Sequence, residues 1–193
     1  KDLELLYEQL DTLKDDDVLV LAGSIPSGMP QSIYRDIMSR LQSKRIKIAV
    51  DATKDLLMNV LAYHPFVIKP NNHELSEIFD IMIDSKEKAV VYAKELQKKG
   101  AQNVIVSMAG EGAVFVGSDG SVFTSEAPHG VVKNSVGAGD SMVAGFLAGY
   151  LAKGDYAEAF KMGLCTGSAS AFSDQLATRE EVEQVRRSHI FDF

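Results

Sequence analysis

The sequence predicts a three-layer α/β fold with a mostly parallel sheet between helices, and three observations carry that prediction. Short runs of β-branched and aliphatic residues alternate with longer segments of helical spacing, which is the pattern of right-handed β-α-β crossovers. The runs at 18–21, 66–68 and 104–106 are continuously apolar rather than alternating, and 46–50 is broken only by Lys47, as suits strands buried on both faces. Each run is followed by a polar or glycine-bearing loop, and in such sheets ligands sit beyond the carboxyl ends of the strands.

The chain opens in a helical pattern (Leu3, Leu5, Leu6, Leu10, Leu13) and breaks at Asp15-Asp16-Asp17 before the first strand, 18–21, which Gly23 bounds. The loop from Ser24 to Pro30 leads into a helix marked by Ile33, Ile37, Met38 and Leu41, with Pro30 placed to open it. The second strand, 46–50, closes at Asp51. A short helix over 56–61 and a third strand, 66–68, follow. Asn71 caps a helix through Ile81; Ser85 or Asp84 caps another to Lys99, which Gly100 stops. After the fourth strand, 104–106, the period changes. Segments 113–116 and 122–124 flank Ser118-Asp119-Gly120, a hairpin signal. Val131-Val132 reads as one more short β segment, running into the turn Val136-Gly137-Ala138-Gly139. Helices over 138–152, 156–173 and 179–188 complete the chain, the last opened by a capping box of Thr178 and Glu181.

With 193 residues, 46% apolar and 24% charged, the chain reads as one globular domain able to bury a sizeable core. A net charge of −7 opposes a nucleic-acid surface, although it leaves room for a local phosphate site. The single cysteine, Cys165, lies among small apolar residues and reads as buried; no disulfide calls for an oxidising compartment. No apolar run approaches a membrane span and no signal-peptide pattern opens the chain, so a cytoplasmic protein is expected. His64, His73, His129 and His189 show no metal spacing.

The turn before the 138–152 helix is the most informative stretch. A strand, a glycine turn and a helix start aim unpaired N–H groups at one point, where an anion such as phosphate binds. Glycines let backbone approach a ligand closely. Asp140 beside such a hole would repel a phosphate if its task were binding. It suits a general base that takes the proton from a hydroxyl attacking phosphorus. The plainer reading is tight packing and a charge–dipole pair.

Asn71 and Glu74, at a helix start, form an ordinary capping box by spacing, while Glu74 at a strand's carboxyl edge is also suited to Mg²⁺ through water. Opposite Asp140 on one edge, the ligand reading is favoured. The loop Ser107-Met108-Ala109-Gly110-Glu111-Gly112 reads equally as a connector into the hairpin or as a nucleotide loop. The small-residue run 163–171 suits close helix packing and also leaves space beside the helix for an adenine ring.

Taken together, these motifs resemble the ribokinase-like, or PfkB, family of sugar kinases. Asn134-Ser135-Val136-Gly137-Ala138-Gly139-Asp140 is similar to the family signature that ends in Gly-Ala-Gly-Asp, with Asn-Ser where the family usually has Asp-Thr. Asn71 and Glu74 match its Asn-x-x-Glu motif and 107–112 its nucleotide loop. Gly23-Ser24-Ile25-Pro26 and Lys69-Pro70-Asn71 are similar to the sugar-phosphate branch of 1-phosphofructokinases and tagatose-6-phosphate kinases.

The resemblance implies an ATP- and Mg²⁺-dependent kinase of a ketohexose phosphate, with fructose 1-phosphate the first expectation and tagatose 6-phosphate the second. It implies Asp140 as base and Gly137, Ala138 and Gly139 as the anion hole. Asn71, Ser107, Gly110, Glu111, Gly112 and Gly139 would lie at the nucleotide, and Glu74 would hold Mg²⁺ through water. Nothing here resembles the Gly-Gly-Lys-Gly-like segment or the small β lid with which family members begin. The chain starts at Lys1 without Met, inside a helical pattern, and reads as the nucleotide-binding and catalytic portion of a longer protein. The substrate's phosphate clamp, and a homodimer formed through the lid, are expected outside it.

Two other readings of the same motifs are weaker. A dinucleotide-binding dehydrogenase fails because Met142 stands where the glycine motif needs Gly or Ala. A sensor of sugar phosphates or nucleotides on the same fold has no need of a base such as Asp140.

Overall fold

The computed structural model describes residues 2–193. Its six strands form one sheet whose spatial order follows the chain: β1 (Val18–Ala22), β2 (Lys47–Asp51), β3 (Val67–Ile68), β4 (Asn103–Ser107), β5 (Ala113–Val116) and β6 (Val122–Ser125). The first four are parallel, and β5 and β6 add an antiparallel hairpin. Each crossover steps to the next strand in the same direction, so right-handed connections deliver their helices to one face. These helices are α2 (Ile33–Leu41), α3 (Lys54–Met58), α4 (Asn72–Phe79) and α5 (Lys86–Lys98), with α1 (Asp2–Asp11) contributing Leu10 to the same layer. The other face is covered after the hairpin by α6 (Ala138–Lys153) and α7 (Tyr156–Phe172), and α8 (Arg179–Ser188) packs on α7 through Val182 and Val185.

The two-residue period of the strands sorts the core into two layers. Ile48, Val50, Ile68, Val104, Val106, Val114 and Val116 meet Ile37, Leu41, Leu75, Ala93 and Leu96 from the crossover helices. Ala49, Val67, Ile105, Ala113 and Phe115 face Val143, Phe146, Leu147, Phe160 and Leu164 of α6 and α7. Both faces are therefore apolar, which is why the strands read as unbroken runs. β1 and β6 are the edge strands, and Val20 of β1 is 47% exposed.

Close approach of α6 and α7 explains the small residues of 163–171. A Cβ on Gly163 would lie 2.9 Å from the Met142 carbonyl oxygen, and one on Gly149 2.9 Å from Ala159 Cα. The run serves helix packing, leaving no open groove beside those glycines.

Three expectations are corrected and one open alternative, the cap of α5, is settled. Val131 and Val132 form no strand: they are 81% and 63% exposed, and this segment is held by Lys133 and Asn134 N–H donating to the Ala171 carbonyl at 2.8 and 3.2 Å. β-Propensity produces a strand only where a partner edge and a burying layer exist, and neither lies beside them. The helix expected at 56–61 is shorter, ending at Met58, with a separate 3₁₀ turn Leu61–Tyr63. The helix capped by Asn71 ends at Phe79, because Asp80 takes a left-handed conformation. Ser85, rather than Asp84, caps α5, accepting from Lys88 N–H at 3.3 Å.

Candidate active site

The carboxyl ends of the parallel strands gather the predicted loops. Asp51 ends β2; Lys69, Pro70 and Asn71 follow β3; Ser107 ends β4 and is bridged in parallel to Asn71, its N–H donating to the Pro70 carbonyl at 3.1 Å. The antiparallel register brings Ala113 and Ser125 to the same edge. Ser24 stands exposed beyond β1, where Gly23 N–H donates to the Asp51 carbonyl at 3.1 Å.

α6 starts on this edge. Gly137 is its N-cap at φ +79°, and a Cβ there would also meet Leu176 Cδ2 at 2.9 Å, so only glycine turns the chain into the helix at this point. Asn134 Oδ1 accepts from Val136 N–H at 3.0 Å and fixes the preceding bend. Ala138 N–H donates to the Ser135 carbonyl at 3.2 Å, and Ser141 N–H to that of Gly137 at 2.9 Å. Among the described residues, no such acceptor engages the N–H groups of Gly139 and Asp140. Gly137 N–H likewise has no such acceptor, so of the expected trio only Ala138 is engaged, closing the turn, and Asp140 adds a further open donor.

The exposed Asp140 lines a cleft of about 120 Å³ together with Val20, Ala22, Asp51, Val143 and Ala144. Ligand pockets usually measure about 300–1,000 Å³, so this cleft is one wall of a site. A larger depression, of about 770 Å³, runs along α8 between Arg179 and Ser188, and none of its lining residues comes from the strand ends.

Asn71 and Glu74 realise the capping box: Glu74 Oε2 accepts from Asn71 N–H and Asn71 Oδ1 from Glu74 N–H, each at 2.8 Å. One Glu74 oxygen stays outside that pair. Among the described residues, no group of three His, Cys, Asp or Glu could hold a metal directly. That donor set fits Mg²⁺, which commonly takes one or two carboxylates plus waters and substrate phosphates. In the 107–112 loop, Met108, Glu111 and Gly112 N–H groups are engaged inside the loop, whereas Gly110 and Glu111 are exposed. Gly112, at φ +90°, shapes the loop: a Cβ would overlap the Ser125 carbonyl oxygen.

Two residues that were noted in the loops without a role prove central. Lys69, 7% exposed, pairs through Nζ with Asp51 Oδ1 at 3.3 Å. Burial pushes the Asp51 carboxyl above its ordinary value; the Lys69 ammonium opposes this, and the charges of Asp140 and Glu74 add to the rise. The four groups therefore share one electrostatic neighbourhood. The sequence signal was a lysine directly after a buried strand.

Fold and site together define an α/β protein with the ribokinase fold whose α6 opens at a glycine turn with free backbone N–H groups. Residues 1–181 match the pfkB family carbohydrate kinase description, and the chain belongs to that family. It is 43% identical over 185 residues to a 1-phosphofructokinase of Bacillus subtilis (strain 168), covering 96% of this chain and 61% of that protein. It is 30% identical over 167 residues to a D-tagatose-1-phosphate kinase of Bacillus licheniformis, covering 86% and 55%. Among solved structures, phosphofructokinase-2 from Escherichia coli in complex with substrates and products superposes with a TM-score of 0.88 at 27% identity, over 96% of this chain and 61% of that one. The chain thus spans about three fifths of the length of such relatives. Among the described residues, no helix is long and apolar enough to cross a membrane.

Proposed function

We propose that this chain carries the nucleotide and catalytic half of an ATP-dependent ketohexose-phosphate kinase, with fructose 1-phosphate as acceptor and fructose 1,6-bisphosphate as product. The observation that carries this reading is Asp140 beside the open N–H donors of Gly139 and Asp140 at the start of α6, on the edge that also holds Glu74 and Ser107.

Asp140 takes the proton of the sugar 6-hydroxyl; the oxygen bonds to the γ-phosphorus of ATP as the bond to the β-phosphate oxygen breaks, and ADP leaves. The helix-start donors stabilise charge on the phosphoryl group in transfer. Mg²⁺, when bound near Glu74, offsets the charge of the nucleotide phosphates. Ser107 Oγ and the exposed Gly110 backbone face the nucleotide, and Gly112 sets the loop's shape. Asp140 is open to water in this chain, and the remainder of the longer protein supplies the cover that excludes it.

Replacing Asp140 by Asn in the complete protein tests the reading. A loss of about 100-fold or more in kcat is expected for a general base, and a loss well below that rejects Asp140 in this role. A tagatose phosphate is the second reading. It is favoured by the D-tagatose-1-phosphate kinase relative, whose name puts the phosphate at position 1 rather than 6. Parallel kcat/KM values on fructose 1-phosphate and both tagatose phosphates distinguish the two.

A further inference from the structure

Among the described residues, Lys69 is the one buried cation in the carboxylate neighbourhood of the site, and the reaction outlined above leaves it without a task. Pairs such as Lys133–Asp174 and Arg40–Asp11 have both side chains substantially exposed, Lys86–Glu126 has one at 77% and Lys161–Glu158 has both above 20%; in Lys69–Asp51 the two are 7% and 17% exposed. Burying an ammonium is costly, and a pair that only fastened β3 to β2 is replaceable by apolar residues at little or no loss. A buried pair at a ligand-binding edge calls for a different explanation.

Gly139 supplies one. Its φ lies outside the left-handed region, so the backbone does not require glycine here. A Cβ at 139, however, would stand 3.0 Å from Lys69 Nζ and 3.3 Å from its Cε. The missing side chain is what lets the ammonium lie directly against the turn whose N–H groups form the anion site. An ammonium carries three donors. Asp51 is its sole ion-pair partner among the described residues. A phosphoryl group entering this place meets Asp51, Glu74 and Asp140, all repelling it, and Lys69 is the compensating charge.

We infer that the Lys69 ammonium contacts the oxygens of the phosphoryl group in transfer, that Asp51 is the positioning residue holding it there, and that residue 139 is glycine to admit it. This rests on the kinase reading of the same site. Lysine suits the task as a compact point charge rather than a planar fork.

The test uses Lys69→Met and Asp51→Asn in the complete protein, with Asp140→Asn alongside. Three quantities are read: kcat on fructose 1-phosphate, calorimetric affinity for the ATP analogue AMP-PNP against ADP, and the melting curve. For Lys69→Met, kcat falls about 100- to 1,000-fold, the usual effect of removing one donor to developing charge. AMP-PNP affinity falls at least tenfold more than ADP affinity, because only the former presents a γ-phosphate. A merely structural lysine would weaken both nucleotides by one factor, in step with the melting temperature; that result, or a kcat within about tenfold of wild type, overturns the inference.

Should Lys69→Met not fold, Asp51→Asn decides. The ammonium is kept but released, so kcat falls while AMP-PNP binds at least as tightly as to wild type; weaker AMP-PNP binding, or an unchanged kcat, overturns the assignment. If Asp140→Asn loses activity while Lys69→Met does not, the kinase reading stands and the role of Lys69 falls. If wild type does not discriminate AMP-PNP from ADP and transfers no phosphoryl group to the sugar phosphates, both fall.

Discussion

Asn71 and Glu74 hold one another across the first turn of α4, each side chain accepting the other's backbone N–H at 2.8 Å. Cap and ligand readings of this pair are compatible, because the box occupies only one oxygen of Glu74. Glutamine serves at the third helical position as glutamate does. Glu74→Gln therefore leaves stability within about 0.5 kcal/mol, whereas Asn71→Ala loses the N-cap acceptor and costs about 1 kcal/mol. The charge matters for the metal: Glu74→Gln raises the Mg²⁺ concentration for half-maximal activity by about 10- to 100-fold. Urea melts and a Mg²⁺ titration check both, and an unchanged Mg²⁺ requirement would return Glu74 to the cap alone.

Gly137 and Gly112 are required by backbone conformation, at φ +79° and +90°. Gly137→Ala pays the left-handed penalty of about 1–2 kcal/mol and displaces Leu176, whose flexible end can yield. The protein still folds, and its activity falls because the N–H groups of Gly139 and Asp140 lose their aim. Gly112→Ala meets backbone at the Ser125 carbonyl, which cannot yield, and costs about 3 kcal/mol or more. Denaturant midpoints rank the two; a Gly112→Ala protein as stable as Gly137→Ala contradicts the geometry.

These features were legible in the sequence because their causes are local. A glycine turn before an apolar helix and an Asn-x-x-Glu spacing each specify backbone geometry within a few residues. The division of the sheet was not legible. Ile48 and Val50 face one helical layer and Ala49 the other, yet all read alike because both faces are buried. Val131-Val132 failed for the converse reason: strand propensity was local, but pairing needs an edge that the fold does not place there. Lys69 and Asp51 meet only through the register of β2 on β3, in which Val50 lies opposite Ile68. No spacing within either loop reports it.

Cys165 is fully buried between α7 and α8, and desolvation pushes its thiol up to about 12 from 9.0. It contributes stability that is complete below pH 9.0 and is lost as pH rises towards about 12, because the unfolded thiol ionises first. At pH 8 a thiol reagent leaves Cys165 unlabelled in the native protein and labels it on unfolding, read by mass spectrometry of the peptide that contains it. Rapid native labelling at pH 8 contradicts the packing of α8 on α7.

Gly139 and Lys69 make the last prediction. Because a Cβ at 139 meets the far end of a flexible side chain rather than backbone, Gly139→Ala folds with little loss, under about 1 kcal/mol. The displaced ammonium moves by a distance on the order of 1 Å, and misplacement on that scale costs up to about 100-fold in rate. If the glycine exists for the lysine, its substitution matters only while the lysine is present. In a Lys69→Ala background, which removes the obstructing chain end, Gly139→Ala then costs little further activity. The double-mutant cycle returns a coupling well outside the few tenths of a kcal/mol expected of independent sites. An additive cycle means that Gly139 serves the ligand directly, through close backbone approach, and that its contact with Lys69 is incidental.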